Sequence, residues 1–137
     1  MTRRPLRVAK GELELLSLLW DAGPLTIGDA HRRYADYGQP VSYPTMQTRL
    51  NRMFEKGLLA RSNEKPSRYS AVATRSQVTR GHLGELVAHI SGGDVVPLVA
   101  HLVSQQSLTK QQIVDLQQLL AKAQQNVDSR PSTRKKS

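Results

Sequence analysis

The sequence predicts a mainly α-helical fold with one small β-hairpin. Apolar residues recur at the three- and four-residue spacing of amphipathic helices along most of the 137-residue chain. In the middle, two short segments with strand character flank the turn cluster Asn63-Glu64-Lys65-Pro66-Ser67. Further along, Gly92-Gly93 interrupts the helical pattern. Together these features predict a hairpin-containing N-terminal domain followed by a module of three helices.

Two amphipathic helices are expected in the first 40 residues. The first spans Gly11 to Asp21, and Ala22-Gly23-Pro24 ends it. The second has Thr26 as its expected N-cap and ends at Tyr37-Gly38-Gln39-Pro40. The expected apolar faces are Leu13, Leu16, Leu19 and Trp20 in the first helix and Ile27, Ala30 and Tyr34 in the second.

The third helix combines strong capping signals with a polar outer face. Ser42 is its expected N-cap, Pro44 lies in its first turn, and Gly57 is expected to end it. Met46, Leu50, Met53 and Phe54 are expected to face inward. Thr45, Thr48, Arg49 and Arg52 follow the i, i+3, i+4, i+7 pattern and are expected to form one outward stripe.

A β-hairpin is expected next, with 58–62 as its first strand and 68–72 as its second. Three short helices followed by a basic-tipped hairpin is the element order of a winged helix-turn-helix domain. We assign this domain to residues 1–74.

Three more helices are expected after residue 74. Asp94 is the expected cap of the second, and Thr109 and Gln112 form a capping box at the start of the third. Their apolar faces are too extensive for three short helices to bury alone. A partner copy is expected to cover them, and the alternative is that they fold back on the N-terminal domain. We therefore predict a dimerisation module at 75–126, with Leu86, Ile90, Leu98, Leu102, Ile113, Leu116 and Leu120 at the interface, and a disordered basic tail at 127–137.

The net charge of +9 is unevenly distributed. Residues 1–10 carry +4 and residues 11–80 carry +3, whereas residues 81–128 carry −2 and the last nine residues +4. A cationic module beside a mildly anionic one indicates that only the first meets a polyanion. The alternative is that the charge serves solubility and flexible basic ends.

Several classes of function are not indicated by the sequence. Without cysteine, the chain has no disulfide, thiolate metal site or cysteine nucleophile. It also lacks a glycine-rich phosphate loop and the HExxH and G-x-S-x-G motifs, so neither an enzyme nor a cofactor is expected. His82 and His89 are seven residues apart, about 10.5 Å along a helix, which is too far for one metal ion unless a third element contributes. With no long apolar segment or signal peptide, a cytoplasmic protein is expected.

The third helix carries the side chains that suit double-stranded DNA. An α-helix fits the major groove, and arginine, threonine and glutamine contact base edges there. Thr45, Thr48 and Arg49 are expected at the groove floor or its edges, and Gln47 suits adenine. The remaining candidates are Arg52 on phosphate or bracing the domain, Tyr43 on the backbone, and Lys65 and Arg68 of the hairpin on a phosphate track or in the minor groove. Arg3, Arg4, Arg7 and Lys10 form either further phosphate contacts or a solubility arm.

Short motifs along the chain match one known family. They are GELELLSLLW from Gly11, Pro24-Leu25-Thr26, Ser42-Tyr43-Pro44-Thr45, Gln47-Thr48-Arg49-Leu50-Asn51-Arg52 and Glu55-Lys56-Gly57-Leu58-Leu59. Ser91-Gly92-Gly93-Asp94, Leu98-Val99-Ala100 and Leu108-Thr109 continue the match. On these residues the chain resembles the penicillinase-repressor (BlaI/MecI) family of bacterial winged-helix regulators.

The resemblance implies a homodimer that binds a palindromic operator and represses transcription. It also implies release through a membrane sensor and protease pathway, by cleavage near His101-Leu102. Family members that are cleaved have Asn-Phe at that place, where this sequence has His-Leu, so the inducer stays open. The alternative function is an architectural DNA-binding protein without sequence preference.

Overall fold

The computed structural model describes residues 4–129 and confirms the predicted fold class. It is mainly helical, with one two-stranded antiparallel sheet in the described residues. The elements are α1 (Lys10–Ala22), α2 (Ile27–Arg33), a 3₁₀ turn (Tyr34–Asp36), α3 (Tyr43–Glu55), β1 (Leu59–Arg61), β2 (Tyr69–Ala71), α4 (Arg75–His89), α5 (Val96–Gln105) and α6 (Lys110–Ser129).

The predicted caps fix the ends of α2 and α3. The Thr26 hydroxyl accepts a hydrogen bond from the Asp29 N–H at 3.1 Å, and the Ser42 hydroxyl accepts one from the Thr45 N–H at 3.3 Å. Gly57 follows α3 with φ of 83°, a conformation that strains any residue with a β-carbon. These caps set where α3 begins and ends, and thus which of its residues face outward.

The core lies between α1, α3 and the sheet. Met46, Leu50 and Met53 of α3 are buried as predicted, and Phe54 is half-buried against them. The face predicted for α1 needs correction, because Leu13 is partly exposed whereas Leu15 and Leu18 are fully buried. The central position of α1 explains this, since it packs against both the 3₁₀ turn and β2 and therefore buries more than one side.

The hairpin is short, and a third segment pairs with it at the end next to its loop. Its register pairs Leu59 with Ala71 and Arg61 with Tyr69. Leu25, just before α2, forms a bridge with Tyr69 through N–H···O bonds of 3.0 and 2.7 Å. We call the hairpin and its loop, residues 59–71, the wing.

The start of α4 packs against the N-terminal elements. Val78 and Gln77 are buried, and residues 4–8 run along α4 as a strap. The strap's Leu6 N–H donates to the Gln77 carbonyl at 3.0 Å, and the Gln77 amide donates to the Arg4 carbonyl at 3.0 Å. Within the described residues, one compact unit accordingly extends to Gly92 and a second begins at Gly93. The functional boundary at 74–75 stays a prediction.

The second unit contains α5 and α6. The N-cap of α5 is Val95, one residue after the predicted cap Asp94, although the Asp94 carboxylate still accepts from the Val96 N–H at 3.0 Å. The predicted capping box is present, with both Thr109–Gln112 hydrogen bonds in place. Because α6 continues to Ser129, residues 127–129 are helical and do not belong to a disordered tail. The rest of the predicted tail lies outside the described residues.

Candidate nucleic-acid interface

The outer face of α3 presents polar side chains to solvent. Ser42, in an extended conformation, is the N-cap of α3. Five of the predicted DNA-binding residues on α3 are exposed: Tyr43, Thr45, Gln47, Thr48 and Arg52. They supply hydroxyl, amide and guanidinium groups on a helix that is anchored from behind by its buried methionines and leucine. This arrangement suits insertion into a major groove.

Arg49 departs from the predicted outward stripe. Its side chain is half-buried, and its Nη1 donates a hydrogen bond to the Tyr34 hydroxyl at 3.1 Å. The Tyr34 hydroxyl in turn donates to Glu14 Oε1 at 2.6 Å. Burial of the phenol and its hydrogen bond to Glu14 together raise the pKa of Tyr34. Arg49 lies at the margin between the polar and buried faces of α3, and this polar partner draws its guanidinium toward α1.

A cleft opens between α3, the start of α2 and the wing. Its volume is about 690 Å³, and its lining is polar. Gln47 and Asn51 line it on the α3 side, Thr26 on the α2 side, and Lys65 on the wing side. The cleft therefore joins two of the predicted contact regions into one concave surface.

The two predicted cations of the wing differ in their surroundings. Lys65 is exposed at the cleft. Arg68 forms an ion pair with Glu64 at 3.3 Å, and both side chains are largely exposed. Exposed pairs of this kind contribute at most about 1 kcal/mol. The pair is thus weak enough for Arg68 to exchange its partner for a phosphate.

Three residues of the site were missed in the sequence. The Asn51 amide oxygen accepts hydrogen bonds from the Tyr69 hydroxyl at 2.6 Å and from Arg61 Nη1 at 3.2 Å. The Arg61 guanidinium also lies over the Phe54 ring, 4.1 Å from its centroid. We call Asn51, Arg61 and Tyr69 the wing clamp, because they tie the wing to α3. A polar residue beside the buried face of α3 was the available signal, but its partners lie 10 and 18 residues away.

The sequence also matches a known protein family along most of its length. The sequence profile of the penicillinase repressor family matches residues 8–122. The chain belongs to the penicillinase repressor family. The resemblance inferred from the motifs is thereby confirmed, and the protein is a winged-helix transcriptional repressor that binds DNA.

Three solved structures show some similarity to this chain. Two are a MarR family protein from Bacillus stearothermophilus (18% identity, 90% of this chain and 78% of that one, TM-score 0.46) and a MarR family transcriptional regulator from Silicibacter pomeroyi DSS (21%, 83% and 67%, 0.41). A third is the YusO protein from Bacillus subtilis (19%, 86% and 75%, 0.43). None of the curated proteins compared with the sequence gave a match.

The predicted dimer residues of this family member lie on largely exposed helix faces. Six of the seven have exposed fractions from 37% for Leu116 to 70% for Ile90, and Leu98 is half-buried. The set comprises Leu86, Ile90, Leu98, Leu102, Ile113, Leu116 and Leu120. His101 and Leu102, the predicted cleavage pair, lie on α5, and both are exposed.

The N-terminal cations are engaged in different ways. Arg7 forms an ion pair with Glu85 of α4, and Arg4 is exposed while its carbonyl accepts from Gln77. Lys10 is exposed at the first position of α1, and Arg3 lies outside the described residues. These contacts hold the strap against α4, whereas an unstructured solubility arm would not be held there.

Metal-binding clusters and membrane-spanning helices are both absent from residues 4–129. No group of three or more histidine and acidic side chains comes together there in a way that would hold a metal ion. In the same range, no helix is long and apolar enough to cross a bilayer.

Proposed function

We propose that the protein is a dimeric, sequence-specific repressor that reads a palindromic operator with α3. The observation that carries this is the exposed polar face of α3, where Thr45, Gln47 and Thr48 project from the first half of the helix. Residues early in a recognition helix reach base edges in helix-turn-helix proteins. Arg52, two turns from the helix start, is placed for phosphate.

The wing supplies the second contact. Lys65 lines the cleft that α3 also lines, so a backbone seated in that cleft meets it. Arg68 lines a separate cleft on the wing, with Pro24 and Ser70, and would meet a neighbouring phosphate. Such contacts are independent of sequence and strengthen binding through counterion release. The proposal thus divides the surface into a base-reading helix and a backbone-binding wing.

The exposed apolar faces support a dimer. Leucine, isoleucine and valine side chains on α5 and α6 are left open in the single chain, and an obligate dimer interface is rich in such residues. A two-fold dimer presents two copies of α3, and these would meet half-sites about one turn of DNA or a multiple apart. A palindromic operator follows from that symmetry.

Release by proteolysis is proposed at His101-Leu102. Cleavage there detaches α6 from the DNA-binding unit and with it much of the exposed apolar surface. Because both residues lie within α5, the helix must unwind locally before a protease can bind the bond. A membrane sensor and protease pathway would supply the cleavage. The mass of the chain isolated from induced cells tests it, because a cut at His101-Leu102 replaces the full-length chain by shorter fragments.

Selection from random DNA tests the central part of the proposal. Full-length protein is incubated with a randomised duplex library of about 30 base pairs, long enough for two half-sites one turn apart. Bound duplexes are recovered and sequenced. Enrichment of one inverted repeat is the expected result. An architectural binder without sequence preference would instead recover the library unchanged.

A further inference from the structure

A hydrogen-bonded chain of three side chains links α1, the 3₁₀ turn and α3. Arg49 donates to the Tyr34 hydroxyl at 3.1 Å, and that hydroxyl donates to Glu14 at 2.6 Å. Tyr34 is 2% exposed, so its hydroxyl belongs to the edge of the core. The α3 residue with the strongest base-reading chemistry is therefore bound to the protein itself.

Two glycines, which have no β-carbon, make room for this chain of hydrogen bonds. A β-carbon at Gly38 would lie 2.5 Å from Glu14 Oε1 and 2.8 Å from the Tyr34 hydroxyl. A β-carbon at Gly11 would lie 3.3 Å from Arg49 Nη1. Side chains of ordinary size at either position would crowd the polar groups. The packing of both neighbouring segments is thus fitted to the contacts of Glu14, Tyr34 and Arg49.

We propose that Arg49 is a positioning residue in DNA recognition, acting through Tyr34 and Glu14 to fix the rotation of α3 about its axis, and that it does not read a base. A planar guanidinium held by a buried hydroxyl restricts how α3 rolls against α1. That roll decides whether Thr45, Gln47 and Thr48 point at the groove floor together. This inference rests on the proposed function, since it concerns the same surface.

The position of Glu14 on α1 explains why the Arg49 guanidinium lies beside that helix. The Glu14 carboxylate is joined to Arg49 through two successive hydrogen bonds by way of Tyr34. Moving the Arg49 guanidinium to DNA would therefore leave Tyr34 and Glu14 without their cationic partner. The folded state loses stability when a polar group at the edge of the core loses its charged partner. Arg52, on the same helix, is exposed and carries the same charge. It is the better placed of the two for the nucleic acid.

The test compares base preferences and affinities of full-length variants on the randomised duplex library. Arg49→Ala, Tyr34→Phe and the double variant are expected to bind the selected duplex about tenfold more weakly, the effect of about one charge-assisted hydrogen bond. The double variant should be no weaker than either single variant, because one unit is broken in all three. Each should keep the base ranking of the wild type at every position.

Gly38→Ala is a second variant that leaves all three side chains in place. Its β-carbon displaces Glu14 and Tyr34, so affinity should again fall without a change in base ranking. Arg52→Ala is the charge-matched control, and its effect should add to that of Tyr34→Phe. Thermal unfolding of each variant establishes that it is folded.

The outcomes separate this inference from the proposed function. If Arg49→Ala loses preference at one base position while Tyr34→Phe and Gly38→Ala bind as wild type, Arg49 reads a base and the inference is overturned. Additive effects of Arg49→Ala and Tyr34→Phe would also overturn it. If the wild-type protein enriches no sequence at all, the proposed function fails instead, because there are then no base preferences to compare among the variants.

Discussion

The Tyr69 hydroxyl on β2 lies 2.6 Å from the Asn51 amide oxygen on α3. This contact joins the element proposed to read the major groove to the element proposed to hold the backbone. Asn51 is half-buried and Tyr69 is almost completely buried. The relative position of α3 and the wing is therefore set before DNA arrives.

Removing the Tyr69 hydroxyl should weaken DNA binding. Tyr69→Phe is expected to reduce affinity for the selected duplex about three- to tenfold, the effect of one neutral hydrogen bond of ~1 kcal/mol. Fluorescence anisotropy with a labelled duplex measures it. Tyr37→Phe is the control, since its hydroxyl also donates at 2.6 Å, to Asp21, outside α3 and the wing. Equal affinities of the two variants would contradict a role for the wing clamp.

Two glycines of α4 should respond to alanine with opposite signs. A β-carbon at Gly81 would lie 2.0 Å from the Leu6 carbonyl oxygen, so Gly81→Ala must displace the strap and should cost ~1–3 kcal/mol of unfolding free energy. Gly84 has no atom within 4 Å of that position, and Gly84→Ala should stabilise by ~0.5–1 kcal/mol through helix propensity. Urea unfolding measures both. Stabilisation by both substitutions would show that the strap does not hold α4.

Acid should remove the contribution of one ion pair that anchors α1 to α3. Burial acts to raise the pKa of Glu12, but hydrogen bonds from Lys56 and the Ala9 N–H, with the Lys56 charge, outweigh it and lower that pKa. A lowered pKa means stability that is present above the unfolded-state value of 4.5 and is lost as the pH falls through the folded-state value.

Glu12→Gln is the variant that measures this contribution. The wild type should exceed it by up to ~1 kcal/mol in unfolding free energy at pH 7, and the difference should vanish as the pH falls below the folded-state pKa. Glutamine retains an oxygen for the Ala9 N–H. A difference that grows on acidification would show that the sign is wrong.

A charge on the apolar face of α6 should dissociate the proposed dimer. Leu120 is 69% exposed in the single chain, so Leu120→Glu should change monomer stability by no more than ~0.5 kcal/mol. In a dimer the same carboxylate would be buried against leucine, which is strongly unfavourable. Sedimentation equilibrium should give a monomer for Leu120→Glu and a dimer for the control Gln118→Glu. Dimers for both would place the interface elsewhere.

Local signals explain what the sequence could predict. Ser42 and Thr26 bind N–H groups three residues ahead, and Thr109 and Gln112 bind each other at the same separation. Such patterns act over one turn of helix and are readable in order along the chain. The helices and their caps were therefore predictable, as was the hairpin between its turn residues.

Contacts between distant segments explain what could not be predicted. The spacing of Arg49 predicts an outward position on α3, which is wrong because the side chain turns to Tyr34, 15 residues away, and Glu14 lies a further 20 residues away. Nothing in a helical repeat indicates which neighbouring element will offer a hydroxyl. The burial of Leu15 and Leu18 has the same origin, since only the assembled fold shows that α1 is covered on two sides.

Competition binding measures whether α3 recognises a particular DNA sequence. Full-length protein is bound to a labelled duplex of the selected sequence at physiological salt and displaced by unlabelled duplexes. The selected sequence and a scrambled duplex of the same length and composition serve as competitors. The selected duplex should compete about a thousandfold or more better than the scrambled one. Equal competition by the scrambled duplex would contradict it.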